Sequence, residues 1–175
     1  VVNRLAVVIY FSRAGQNKQH GAAQYINIGN TALVADKLAT QLGCPAVALQ
    51  AIPAYAADYA ATLQRTKAEL AQAAAVQLAP LTVDLTAQTQ LFLGFPIWWR
   101  TLPQVVVTFL QQVDLAGKQL YPFCTHEGSG FGRSLDALQK LVPQARLLPG
   151  LAVRGSNAYK ADQALINWLQ SLQLK

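Results

Sequence analysis

The segment Leu5-Ala-Val-Val-Ile-Tyr-Phe11 constrains the fold more than any other part of the chain. It is continuously apolar and rich in β-branched residues rather than alternating, which is the pattern of a strand covered on both faces, as in parallel sheets. Residues 46–49, 91–95, 120–124 and 147–153 repeat it, the last broken by Pro149 and Gly150. Segments of helical period lie between these runs. Val34, Leu38 and Leu42 recur behind Asn30, expected as an N-cap, and end at Gly43. Residues 58–75 predict a long helix with Tyr59, Leu63 and Leu70 on its buried face. Pro103 occupies a first-turn position ahead of Val106, Phe109, Leu110 and Val113. Leu135, Leu138, Leu141 and Val142 mark a helix closed by Pro143, and Leu165, Ile166, Leu169 and Leu172 mark the last.

Five strand–helix alternations predict an α/β domain spanning residues 1–175, an open parallel sheet with helices on both faces, because right-handed crossovers place each helix over the sheet. Residues 13–29 and 76–88 are expected to be irregular. Apolar residues make up 53% of the 175, which supports a sizeable core. Fourteen Lys and Arg against eight Asp and Glu give a net charge of +6. Those cations are scattered singly, so nucleic-acid binding is not expected. No apolar run approaches the roughly 20 residues of a membrane span. With two cysteines, no disulfide framework and no leader-like N-terminus, a cytoplasmic setting is expected, and the lack of Met suggests a chain that starts after its initiator.

In sheets of this kind ligands collect beyond the carboxyl ends of the strands. Three loops qualify. Ser12-Arg13-Ala14-Gly15, an insertion over residues 16–28, and Gly29-Asn30-Thr31-Ala32 place hydroxyls and an amide where free N–H groups at a helix start can cradle a phosphate; the same residues also suit an ordinary helix cap. Neither a Walker A loop nor G-x-G-x-x-G is present. Gly94-Phe-Pro96-Ile97-Trp98-Trp99-Arg100 puts two adjacent indoles in one loop, either as a platform for a planar ligand or with one ring packed on the next helix and the other on a partner. Thr125-His126-Glu127-Gly128-Ser129-Gly130-Phe131-Gly132 lets backbone approach a flat ligand closely. His126 is a candidate proton donor or a local hydrogen-bonding partner of Glu127, and His20 is expected to be exposed. Ser129 lacks the G-x-S-x-G elbow of a hydrolase, and no second ligand accompanies either His at metal-binding spacing.

Taken in order, Tyr10-Phe-Ser-Arg-Ala-Gly15 with Gly29-Asn-Thr31, Pro96-Ile-Trp-Trp99, and Pro122-Phe-Cys-Thr-His-Glu-Gly-Ser-Gly-Phe-Gly132 resemble the loops of flavodoxin-like FMN-binding proteins, in particular a bacterial branch with an insertion in the phosphate loop. The resemblance implies a flavodoxin-like three-layer sandwich, a five-stranded parallel sheet of order 2-1-3-4-5, and noncovalent FMN. It implies that Ser12, Asn30, Thr31 and Ala32 hold the phosphate with Arg13 and Gly15 nearby. Pro96, Ile97, Trp98 and Trp99 would line the ribityl chain and ring, and Thr125, His126, Glu127, Gly128, Ser129 and Gly130 would meet the other ring edge. The implied function is an oxidoreductase passing hydride or electrons from a reduced nicotinamide to a flat, quinone-like acceptor. The alternative is an electron carrier between redox protein partners. Carriers of this family are usually acidic, whereas this chain is basic, and Arg13, Arg100 and Arg133 at the loop ends are expected to set a positive field over the ring. A flavin-free module such as a receiver domain would need an acidic cluster for Mg²⁺ at the strand ends, which the sequence lacks there.

Overall fold

The computed structural model describes residues 3–174. The expected domain reaches residues 1, 2 and 175, which lie outside the described residues. The first strand, β1 (Ala6–Tyr10), alternates its side chains between two cores: Val7 and Ile9 enter one, Ala6 and Val8 the other, all fully buried. It is therefore an interior strand, flanked by parallel partners on both sides. These are β4 (Ala46–Ala48) and β5 (Gln90–Pro96), and β5 pairs onward with β6 (Gln119–His126).

The fifth strand is split. β7 (Arg146–Leu147) and β8 (Leu151–Arg154) each run parallel to β6, with Leu148, Pro149 and Gly150 between them. Counted as one strand position, they complete the expected 2-1-3-4-5 order. Proline has no N–H to give the ladder, so the break falls where the sequence placed it.

Helices α1 (Asn30–Leu42) and α5 (Asp162–Ser171) cover one face through Val34, Leu38, Leu165 and Trp168. Helices α3 (Gln104–Gln112) and α4 (Ser134–Leu141) cover the other through Val105, Val106, Phe109 and Leu138. Pro103 stands at the cap position of α3, one residue before the helix proper. A short 3₁₀ segment, Gly155–Lys160, links β8 to α5. Among the described residues no helix is long and apolar enough to cross a membrane.

Three local expectations are corrected. Asn30 is the first residue of α1 rather than its cap; Gly29 holds the cap position with extended backbone, and the N–H of Ala32 finds its acceptor in Ser12 Oγ, 3.0 Å away at the end of β1. The long helix α2 (Tyr59–Gln72) is shorter than residues 58–75 and buries Thr62 and Thr66 rather than the Tyr59/Leu63/Leu70 stripe, with Leu63 37% exposed. Its buried face meets polar loop backbone instead of the sheet: Thr62 Oγ1 donates to the carbonyls of Ala56 and Asp58. Residues 13–29 are not irregular throughout. They contain an antiparallel hairpin, β2 (Gly15–Gln19) and β3 (Ala22–Ile26), whose turn residues His20 and Gly21 both have positive φ, as a primed two-residue turn requires. Residues 76–88 remain irregular apart from one bridge between Ala51 and Leu78.

Candidate functional site

The carboxyl ends of β1, β5 and β6 open into a cavity of about 330 Å³, within the range of small-molecule sites. Ser12, Arg13, Asn30 and Thr31 line it from the first loop, Pro96, Ile97, Trp98 and Trp99 from the second, and Thr125, His126, Glu127 and Ser129 from the third. Four expected residues are not part of this lining. Gly15 packs on Ala57, Ala32 donates to Ser12, the N–H of Gly128 donates to His126, and Gly130 turns the chain with φ +59°.

At the first loop the chain has built a donor cluster with little room to spare. A Cβ on Gly29 would lie 2.1 Å from Ser12 Oγ and 2.7 Å from the Arg13 carbonyl oxygen. The Thr31 and Thr125 hydroxyls lie 2.8 Å apart, joining the phosphate-loop candidate to the end of β6. Among the described residues the N–H groups of Asn30 and Thr31 take no partner, as at helix starts generally, and donors so placed can hold an anion. Hydroxyls and unpaired N–H donors of this kind fit a phosphate monoester.

The second loop is a tight turn in which Trp98 and Thr101 exchange backbone hydrogen bonds of 3.1 Å in both directions. Trp99 and Arg100 at its tip have φ +54° and +63°. Left-handed backbone disfavours side-chain-bearing residues by roughly 1–2 kcal/mol each, so the surroundings must hold the turn in place. They do so by three contacts. Trp99 Nε1 donates to Thr66 Oγ1 at 3.0 Å, the N–H of Arg133 donates to the Arg100 carbonyl at 2.8 Å, and Arg133 Nη2 donates to the Trp99 carbonyl at 3.3 Å. The two indoles have different roles. Trp98 packs edge-on against Phe11 and Tyr55 at the border of the core, while Trp99 is 39% exposed.

At the third loop His126 Nδ1 accepts from the N–H of Gly128 at 2.9 Å, so the neutral ring carries its proton on Nε2. Partial burial and the nearby Arg154 hold the imidazole below its ordinary pKa, opposed by Glu127. Glu127 Oε1 accepts from the N–H of Ser156, which ties the loop to the 3₁₀ segment.

The expected positive field is redistributed. Arg13 is buried, and its guanidinium donates to the carbonyls of Gln16, Ala56, Ala57 and Asp58 at 2.6–3.2 Å. Arg133 braces the turn. Arg100 lines the cavity and, among the described residues, its side chain makes no hydrogen bond or ion pair.

Sequence reasoning missed Asn17, Lys18, Tyr59 and Gly155 as cavity-lining residues. Asn17 and Lys18 arrive on the hairpin, whose one legible signal is His20-Gly21. Tyr59 and Gly155 come from elements distant in sequence and carry no local motif. A side chain at Gly155 would collide with the Asn30 amide, with Cβ 2.5 Å from Nδ2.

The sequence pattern of the flavodoxin family matches residues 6–172. Among solved structures, a provisionally designated flavoprotein from Bacteroides eggerthii aligns at TM-score 0.79 and 24% identity, over 99% of this chain and 100% of its own. A second such protein from Bacteroides uniformis aligns at 0.75 and 24%, over 94% and 97%. A flavoprotein from Lactobacillus acidophilus crystallised with FMN aligns at 0.64 and 16%, over 89% and 96%. Identities this low speak to the fold. A comparison with curated proteins finds no match.

Proposed function

From the premise that this chain belongs to the flavodoxin family, we propose that it is an FMN-dependent oxidoreductase that moves hydride or electrons from a reduced nicotinamide to a flat, quinone-like acceptor. The observation that carries this reading is the juxtaposition, in one cavity, of an anion cradle at the start of α1 with an exposed indole on a rigid turn. When bound, FMN supplies both two-electron and one-electron chemistry.

Ser12, Asn30 and Thr31 bind the phosphate through hydroxyl and N–H donors. The Trp98–Trp99 turn and the loop from His126 to Ser129 orient the ring and exclude water from its faces. Trp99 offers a second flat substrate a stacking surface, since its ring is partly exposed at the cavity mouth. His126 holds a proton at Nε2 beside the same mouth.

The basic balance of the chain and its few carboxylates favour the reductase over a carrier that docks by acidic charge. The test is to purify the protein with FMN, record its visible spectrum, and add NADH or NADPH with menadione. Flavin absorbance that bleaches with the nicotinamide and recovers with the quinone is expected. A flavin-loaded protein that neither nicotinamide reduces is the carrier; a colourless protein that takes up no FMN overturns the cofactor assignment.

Arg100 gives a second expected result. A cation at the cavity mouth favours the more negative, reduced state of a bound redox group. Arg100→Gln should lower the two-electron potential by at most about 20 mV, because an exposed charge contributes under about 1 kcal/mol. A redox titration at low salt checks it.

A further inference from the structure

We propose that Lys18, carried into the site by the β2–β3 hairpin, is the counter-ion of the FMN phosphate, and that the hairpin exists in the phosphate loop to deliver it. The inference rests on the FMN reading above. It gives the inserted segment a role.

The hairpin is anchored rather than loose. At its base Arg13 ties the Gln16 carbonyl to the backbone before α2, and the N–H of Gln16 donates to the Ala57 carbonyl at 2.8 Å. At its outer end the side-chain amides of Gln19 and Asn30 pair reciprocally, at 2.6 and 3.2 Å. Asn30 opens α1, so β2 is pinned to the same helix start that offers the unpaired N–H donors. Lys18 shares its strand face with Gln16, whose Oε1 accepts from the Tyr59 N–H, and both Lys18 and Tyr59 line the same cavity as Ser12, Asn30 and Thr31.

Elimination among the cations leads to the same residue. Arg13, Lys18 and Arg100 are the basic residues in the cavity lining. Arg13 is occupied by four carbonyls, and Arg100 stands on the turn after β5, among the indoles. The first turn of α1 is Asn30-Thr31-Ala32-Leu33, without a basic side chain. Lys18 is then the one lining cation on the phosphate loop whose ammonium has no hydrogen-bond or ion-pair partner among the described residues. The carboxylate in the lining, Glu127, is engaged by the N–H of Ser156. A lysine ammonium suits this task because it acts as a mobile point charge on a flexible stem and needs no fixed fork geometry.

The experiment compares FMN with riboflavin, which has the ring and ribityl chain but no phosphate, in fluorescence titrations of the full chain freed of flavin. Lys18→Gln should weaken FMN binding roughly three- to tenfold and leave riboflavin binding unchanged. Lys18→Arg should restore most of the loss, and added salt should weaken FMN binding more in the parent than in Lys18→Gln. Equal FMN affinity in the parent and Lys18→Gln overturns the proposal, and so does an equal loss for both flavins, which would place Lys18 against the ring. A parent chain that binds neither flavin overturns the FMN reading itself, and the Lys18 proposal with it.

Discussion

Replacing Arg13 with Met should lower the stability of the chain by about 2–4 kcal/mol, read as a fall in the urea midpoint at unchanged slope. Arg13 is 8% exposed, and its guanidinium bonds all four carbonyls of Gln16, Ala56, Ala57 and Asp58, whereas Thr62 Oγ1 reaches only those of Ala56 and Asp58. Charge-assisted hydrogen bonds of this kind contribute more than neutral ones, and removing the donor takes one strong partner from each of the four carbonyls. Ala56, Ala57 and Asp58 are exposed, so water recovers some of those acceptors and keeps the loss below that of a fully buried ion. Burial disfavours the charge on Arg13, and the neighbouring Asp58 and Tyr59 favour it. Arg13→Lys should retain only part of the stability, because an ammonium cannot span four carbonyls with the planar fork. An unchanged midpoint in Arg13→Met would mean that the clamp contributes nothing to folding.

Gly29→Ala should reduce FMN affinity about 100-fold, equivalent to about 2.7 kcal/mol. The backbone at Gly29 has φ −62° and ψ 148°, which alanine adopts without strain, so the effect is purely steric. The added Cβ would lie 2.1 Å from Ser12 Oγ and 2.7 Å from the Arg13 carbonyl oxygen. Ser12 can rotate away, at the loss of its bond from the Ala32 N–H. The Arg13 carbonyl cannot, because it belongs to the backbone between β1 and the hairpin. Relief therefore requires the start of α1 to move off the end of β1, while Val34 and Leu38 hold the rest of the helix on the sheet. The free N–H donors at the start of α1, to which we assign the phosphate, move with it. A double variant Ser12→Ala/Gly29→Ala should remain weak, since the backbone contact persists; recovery of parent affinity in that variant would show that the clash lies with the hydroxyl alone.

The interior strands were legible because their residues are buried on both faces, and such burial writes itself into consecutive apolar positions. Val7, Val8 and Ile9 are fully buried, as a central parallel strand demands. The helices that pack on the sheet were legible for a related reason, with Val34, Leu38, Phe109, Leu138 and Leu165 buried at helical spacing. Helix α2 was legible in existence but not in orientation. Its threonines are the buried residues, while Leu63 is exposed and Tyr59 and Leu70 are half-buried, because the surface that it meets is loop backbone and an indole N–H rather than sheet. The β2–β3 hairpin was illegible as strands, since Gly15-Gln-Asn-Lys-Gln19 has no apolar alternation and its order comes from backbone pairing and from Arg13.

The sequence by itself determined the α/β architecture, the order of the main-sheet strands and their helices, and the three loops that meet at the site, because local periodicity and turn chemistry act over a few residues. Tertiary structure alone decided which side chains face the cavity. Arg13 was a candidate phosphate neighbour by position, yet four carbonyls from two separated segments converge on it and make it a clamp. Lys18 was one scattered cation among fourteen until the hairpin docked on Asn30. The physical reason is common to both: a charged side chain is positioned by what surrounds it in space, and those surroundings come from residues as distant as Asn30 and Ala57.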